Sequence, residues 1–174
     1  NVAVTENAAT DLAASTVSGT LGITSTGAVT DSGTLAITGA TTISASGQDI
    51  TLDEAASTFG TLALTGSNVA VTENAAMDLG ASTIGGTANF NSTSNVITDS
   101  GTLAITGATT INAGTAYITL DQAASTFGAL ALTGANVAVT ENAATDLAAS
   151  TVSGTLGITS TGAVTDSGTL AITG

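Results

Sequence analysis

The sequence predicts an all-β parallel β-solenoid (β-helix). Three observations predict it: a long segment copied along the chain, strand-period alternation broken by turn signals, and an aliphatic composition without proline. The string NVAVTENAATDLAASTVSGTLGITSTGAVTDSGTLAITG runs from Asn1 to Gly39 and recurs unchanged from Asn136 to Gly174. A diverged copy starts at Asn68, so the second interval between copies exceeds the first by a single position. That extra position lies between Thr87 and Thr98, where TANFNSTSNVIT replaces TLGITSTGAVT, an insertion suited to a surface turn. One continuous segment is expected over 1–174, with repeats at 1–67 and 68–135 and a partial copy at 136–174.

Taken in order, the elements read as short strands. Val2-Ala3-Val4 alternates, and the stretch Glu6 to Ala14 after it carries helix formers that offer a short helix as the rival reading. Thr34-Leu35-Ala36-Ile37-Thr38, Ile50-Thr51-Leu52, Thr61-Leu62-Ala63-Leu64-Thr65 and Val69-Ala70-Val71-Thr72 place apolar residues at i and i+2, which is strand periodicity with one buried face. Thr-Gly, Ser-Gly and Asp-Ser-Gly between them are turn signals. The step from Val2 to Leu21 equals the step from Ile50 to Val69. One coil is therefore roughly 19–24 residues, with about three coils in each 67–68-residue repeat and about eight coils in all.

Composition supports the same fold and excludes several functions. The 174 residues include three Phe, one Tyr and no Trp, too few large side chains for a compact globular centre. Mean hydropathy is +0.47 with 7% charged residues, the reverse of a disordered chain. A narrow interior of Val, Ile, Leu and Ala fits, and the absence of Pro spares every ladder donor. There is no Lys, Arg, His or Cys, and the formal charge is −13. Side-chain cations that would neutralise nucleic-acid phosphates are missing, as are the residues of zinc sites, disulfides and thiol or imidazole catalysis. No apolar run of about 20 residues supports a membrane-inserting helix. The chain starts without Met, and a segment of a longer or processed chain is the expectation.

GAVTDSGTLAITGATTI, DITLDEAASTFGTLALTG and NVAVTENAATDLAASTVSGTL resemble repeats of filamentous-haemagglutinin-like bacterial exoproteins, exported by two-partner secretion. The resemblance covers essentially the whole chain. It implies a right-handed β-helix, located outside the cell as a bacterial surface or secreted fibre, that serves adhesion, filament building or biofilm matrix. It brings no catalytic residue and no cofactor. The expected partners are the chain's own kind, by end-to-end association or continuation into a filament, and host or surface glycan. A glycan- or ice-binding solenoid module is the alternative, and a catalytic β-helix is disfavoured for want of basic residues.

The acids are the only side chains with chemistry to offer. Glu6, Glu73 and Glu141 are equivalent, as are Asp11, Asp78 and Asp146, and Asp31, Asp99 and Asp166. Solvated charge, spread about three coils apart, is expected of them. A shift by the step that relates Ile50 to Val69 aligns Asp53-Glu54 with Thr72-Glu73 and stacks Glu54 on Glu73. Two carboxylates about 5 Å apart raise a pKa or recruit Ca²⁺, yet calcium wants six to eight oxygens. No resident metal is expected, and Glu54 and Glu73 are the candidate ligands should Ca²⁺ bind. One repeat on, the Gln122 amide is expected to donate to Glu141. Phe59 and Phe127 read as core or corner fillers, while Phe90 and Tyr117, standing where Ile23 and Asp49 stand, are marked for surface contacts.

Overall fold

Each alternating run buries every second side chain, and each turn after it bends the chain partway round an axis, so the buried rows line one common interior. In the computed structural model, which describes residues 1–174, these runs form 24 strands and no helix. The first coil holds β1 (Val2–Glu6), β2 (Thr10–Leu12) and β3 (Ser15–Val17), and the second β4 (Leu21–Ser25), β5 (Val29–Asp31) and β6 (Leu35–Ile37). The third holds β7 (Thr41–Ser44) and β8 (Ile50–Leu52), and the fourth β9 (Thr61–Gly66) and β10 (Val69–Thr72). Next come β11 (Met77–Leu79), β12 (Ser82–Ile84) and β13 (Ala88–Asn91), then β14 (Ile97–Asp99), β15 (Leu103–Ile105) and β16 (Thr109–Asn112). The seventh coil has β17 (Ile118–Leu120) and β18 (Leu130–Gly134), and the eighth β19 (Val137–Glu141), β20 (Thr145–Leu147) and β21 (Ser150–Val152). The ninth has β22 (Leu156–Ser160), β23 (Val164–Asp166) and β24 (Leu170–Ile172). The stretch Glu6 to Ala14, the rival helix, is the end of β1, a turn, and β2 with the bend after it.

Two sheets run the length of the rod, β1-β4-β7-β9-β11-β14-β17-β19-β22 and β2-β5-β8-β10-β13-β16-β18-β20-β23. Every pairing is parallel, and nine strands in each path mean nine coils, a rod on the order of 40 Å long. Val2 pairs with Leu21 and Ile50 with Val69, the equal steps read from the sequence. Other steps are shorter, as from Leu62 to Leu79, or longer, as from Ala36 to Thr58. Turns stack as well as strands: the Gly39 amide donates to the Gly19 carbonyl and the Gly107 amide to that of Gly86, both across one coil. A Cβ at Gly60 would lie 2.5 Å from the Gly39 oxygen, and one at Gly39 would lie 2.7 Å from the Gly19 oxygen. This corner therefore requires glycine in two successive coils, at Gly39 and Gly60.

A repeat carries the chain slightly past three full coils. The long strand β9 pairs with β7 along one edge and with two strands along the other. Thr61 and Leu62 meet Asp78 and Leu79 of β11, while Thr65 and Gly66 meet Thr83 and Ile84 of β12. The same division recurs at β18, which meets both β20 and β21. The strand that opens each copy therefore moves between sheets: β1 lies in the first, β10 in the second and β19 in the first. Copies one and two of a residue consequently face different sides of the rod.

One cluster of 34 buried apolar residues fills the interior. Phe59 and Phe127 belong to it, as expected. So does Phe90, which corrects the surface reading. In its coil Ala88 and Phe90 stand where Leu21 and Ile23 stand one repeat earlier, so one row shrinks as the next grows and the interior volume is kept. The inserted residue falls in the turn after β13, where Thr93 and Ser94 take left-handed backbone conformations. No helix is long and apolar enough to cross a membrane.

Candidate functional site

The outward acids act as clamps between coils. Asp11 accepts the Thr30 hydroxyl at 3.3 Å and the Ser32 hydroxyl at 2.7 Å. Asp78 accepts from Thr61 on one side (2.7 Å) and Ser100 on the other (2.8 Å), and Asp146 accepts from Ser167 (2.8 Å). These are hydrogen bonds at a hydrated surface, each adding at most about 1 kcal/mol.

Four other acids are buried, which corrects the solvated reading for them. Asp31 and Asp99 end β5 and β14, where the third residue of a strand has the same inward parity as the first. Asp31 accepts the Asp53 amide at 2.9 Å, and Asp99 accepts the amides of Asp121 at 2.8 Å and Gln122 at 3.4 Å. Burial pushes both carboxyl groups above the usual aspartate value, and these amides oppose part of the shift. Asp166, the third equivalent, is exposed on the last coil.

Glu73 and Glu141 are buried more completely, at 0% and 1% exposure. The alternation that turns Val137 and Val139 inward continues to Glu141, as it does from Val69 and Val71 to Glu73. Glu141 is fully partnered. The Phe127 amide donates to Oε1 at 2.8 Å and the Thr145 hydroxyl to Oε2 at 2.7 Å. Glu73 has Met77 where Glu141 has Thr145, and both of its carboxyl oxygens are buried without a partner. Burial raises the Glu73 pKa to about 8, countered only in part by the Phe59 amide, which completes no hydrogen bond to it. At neutral pH the folded chain holds Glu73 mostly as the neutral acid. Glu6, the same residue in the first copy, is exposed and accepts the amide of Asn7.

Glu54, the other calcium candidate, is half-buried in the turn after β8, where its carbonyl accepts the Ser57 amide at 2.8 Å. No group of three or more acids gathers where it could hold a metal ion. The Gln122 side chain makes no hydrogen bond to Glu141, whose partners are the Phe127 amide and Thr145. Tyr117 is 55% exposed, and the edge residue Val96 lies one coil below it.

Sequence reasoning missed two structural devices. Inward serines accept backbone amides from the neighbouring coil: Ser57 from Leu35, Ser82 from Leu64, Ser125 from Leu103 and Ser150 from Leu132, all at 2.9–3.0 Å. The asparagine that opens each copy reaches one coil up, where Oδ1 of Asn1, Asn68 and Asn136 accepts the amides of Thr20, Thr87 and Thr155 at 2.9–3.0 Å. Its recurrence just ahead of every VAVTEN was the available signal.

A family model described as repeats of unknown function (DUF5649) matches the chain three times, over residues 1–65, 66–133 and 134–174. No curated protein and no solved structure matches.

Proposed function

The chain belongs to the DUF5649 family of repeats, and we propose that it serves as a structural stalk or fibre segment of a secreted bacterial surface protein. The observation that carries this reading is the uninterrupted stack: nine coils pair in parallel, one apolar cluster of 34 residues runs from Val17 in the first coil to Val152 in the eighth, and the acids and amides outside it tie coil to coil. Such a stack adds length at constant stability per coil, which is what a spacer or fibre requires. In the proposal the chain has no catalytic role, and it lies outside the cell as filamentous-haemagglutinin-like repeats do. Its partners are further copies of the repeat, covalent or stacked end to end, and not nucleic acid. The charge of −13 keeps neighbouring rods apart near neutral pH, and salt or divalent cations bring them together.

Electron microscopy and fibre diffraction of native material test the proposal. Unbranched filaments with an axial spacing of about 4.8 Å are expected. Discrete particles with no filament, at any pH or ionic strength, would overturn it. A second reading, a module that binds neutral glycan, is favoured by the exposed Tyr117 beside Val96, where the first repeat has Asp49 and Ala28. A Tyr117→Ala variant that loses binding on a neutral-glycan array would support that module.

A further inference from the structure

We propose that the joint around Glu73 is a proton-held weak point of the rod: the coils close on a neutral Glu73 and open locally when it loses its proton, while the equivalent joint around Glu141 stays closed. The two joints are internal controls for each other. Both glutamates end an inward-facing run, face an equivalent phenylalanine (Phe59 or Phe127) and are fully buried. They differ in the residue four places on, Met77 or Thr145, and in their donors: Glu141 has both the Phe127 amide and the Thr145 hydroxyl, and Glu73 has neither.

A buried carboxylate with no donor is far costlier than the same group partnered, so the proton stays on unless the coil opens. The surroundings offer no other relief. Below lie Asp53 and Glu54, in the turn after β8; above, where β13 ends, stand the uncharged Asn91 and Ser92. Five residues further along the chain, Asp78 is engaged with Thr61 and Ser100. Every titratable neighbour is an acid, and the chain has no Lys, Arg or His to approach.

The sign of the pH effect follows from linkage. A carboxyl group held at about 8 in the folded chain, against 4.5 when exposed, binds more proton folded than open. The joint is thus most stable below the open-state value, weakens as pH rises between the two values, and changes no further above the folded value. The bonds that must break include Glu73 amide to Asn91 carbonyl (3.0 Å) and Asn74 amide to Ser57 carbonyl (2.8 Å). Their counterpart at the other joint is Asn142 amide to Ser125 carbonyl (2.7 Å).

Amide hydrogen exchange of the full chain, read at Asn74 and Asn142 between pH 5 and 9 and corrected for intrinsic base catalysis, tests the proposal. Protection at Asn74 should fall by up to about tenfold per pH unit until the folded value is passed, and protection at Asn142 should not change. Met77→Thr, which returns the missing hydroxyl, should flatten the Asn74 profile. Thr145→Met should transfer the slope to Asn142, which keeps the test open if the first variant fails to fold. Parallel profiles at the two amides in the unmodified chain, or a Thr145→Met profile without slope at Asn142, would overturn the proposal.

Discussion

Residues 1–39 and 136–174 have the same sequence and different interiors. All five residues of β1 are exposed, whereas β19 buries Val137, Val139 and Glu141. Val2 is 43% exposed and Val137 is 2% exposed. The order reverses one coil on, where β4 buries Leu21, Ile23 and Ser25 and every residue of β22 is half-buried or exposed. Identical strands thus differ according to which neighbour they have: β19 rests on β17 and β4 is covered by β7, while β1 has no strand beneath it and β22 none above. Burial in this rod is a property of adjacent coils, as expected where stability is a sum of nearest-neighbour terms.

The largest effect that would break this comparison comes from the core. Ile23 is 2% exposed, and its copy Ile158 is half-buried. Ile23→Ala should cost about 2–5 kcal/mol in urea unfolding of the full chain, and Ile158→Ala less than half as much. Equal costs would mean that sequence, not stacking, sets the contribution.

A smaller contrast uses the buried acid. Thr145→Met orphans one oxygen of Glu141 and should cost about 1–3 kcal/mol at neutral pH, because an unmet acceptor stays buried. Thr10→Met changes the same residue of the same sequence, yet Glu6 is exposed and its Oε1 accepts the Asn7 amide instead of the Thr10 hydroxyl. That variant gives up only the 3.2 Å bond from the Thr10 hydroxyl to the Ser25 hydroxyl and should cost less than about 1 kcal/mol. Thermal unfolding of the two variants side by side decides it.

Much of this was legible in the sequence, and what was not has identifiable causes. Alternation located the rows of Val, Ile and Leu, and the equal steps along the chain gave the register of Val2 with Leu21. The slip of the repeat between sheets was hidden in β9: a single alternating run reads as one strand, and nothing in it announces that β11 and β12 will share its edge. The inward acids were hidden by expectation. Parity already placed Glu73 on the row of Val69 and Val71, but charge is so rarely buried that the solvated reading prevailed. Phe90 was misread for the opposite reason, since a departure from the repeat suggested a surface role while Ala88 beside it made room inside. The Thr-to-Met exchange at Met77 was visible, and acquires meaning only once Glu73 is known to face inward.

The smallest effect sharpens the comparison by predicting no difference. Asn1 and Asn136 each accept an amide from the coil above, Thr20 or Thr155, at 2.9 Å. Each Oδ1 occupies the space that a side chain at Gly19 or Gly154 would need. Above them the one difference is a 3.2 Å bond from the Thr155 hydroxyl to Asn136; below them, the Asn136 carbonyl accepts the Ile118 amide from the preceding coil and Asn1 begins the first coil. If neighbours act pairwise, the side-chain bond depends only on the coil it reaches, and both copies have that coil. Asn1→Ala and Asn136→Ala should therefore each cost about 0.5–1.5 kcal/mol, read locally as faster exchange of the Thr20 or Thr155 amide. The two losses should agree although the residues sit in differently buried coils. A markedly larger loss at Asn136 would show that a coil below strengthens a bond made above, and the additive description of the rod would give way to longer-range cooperativity.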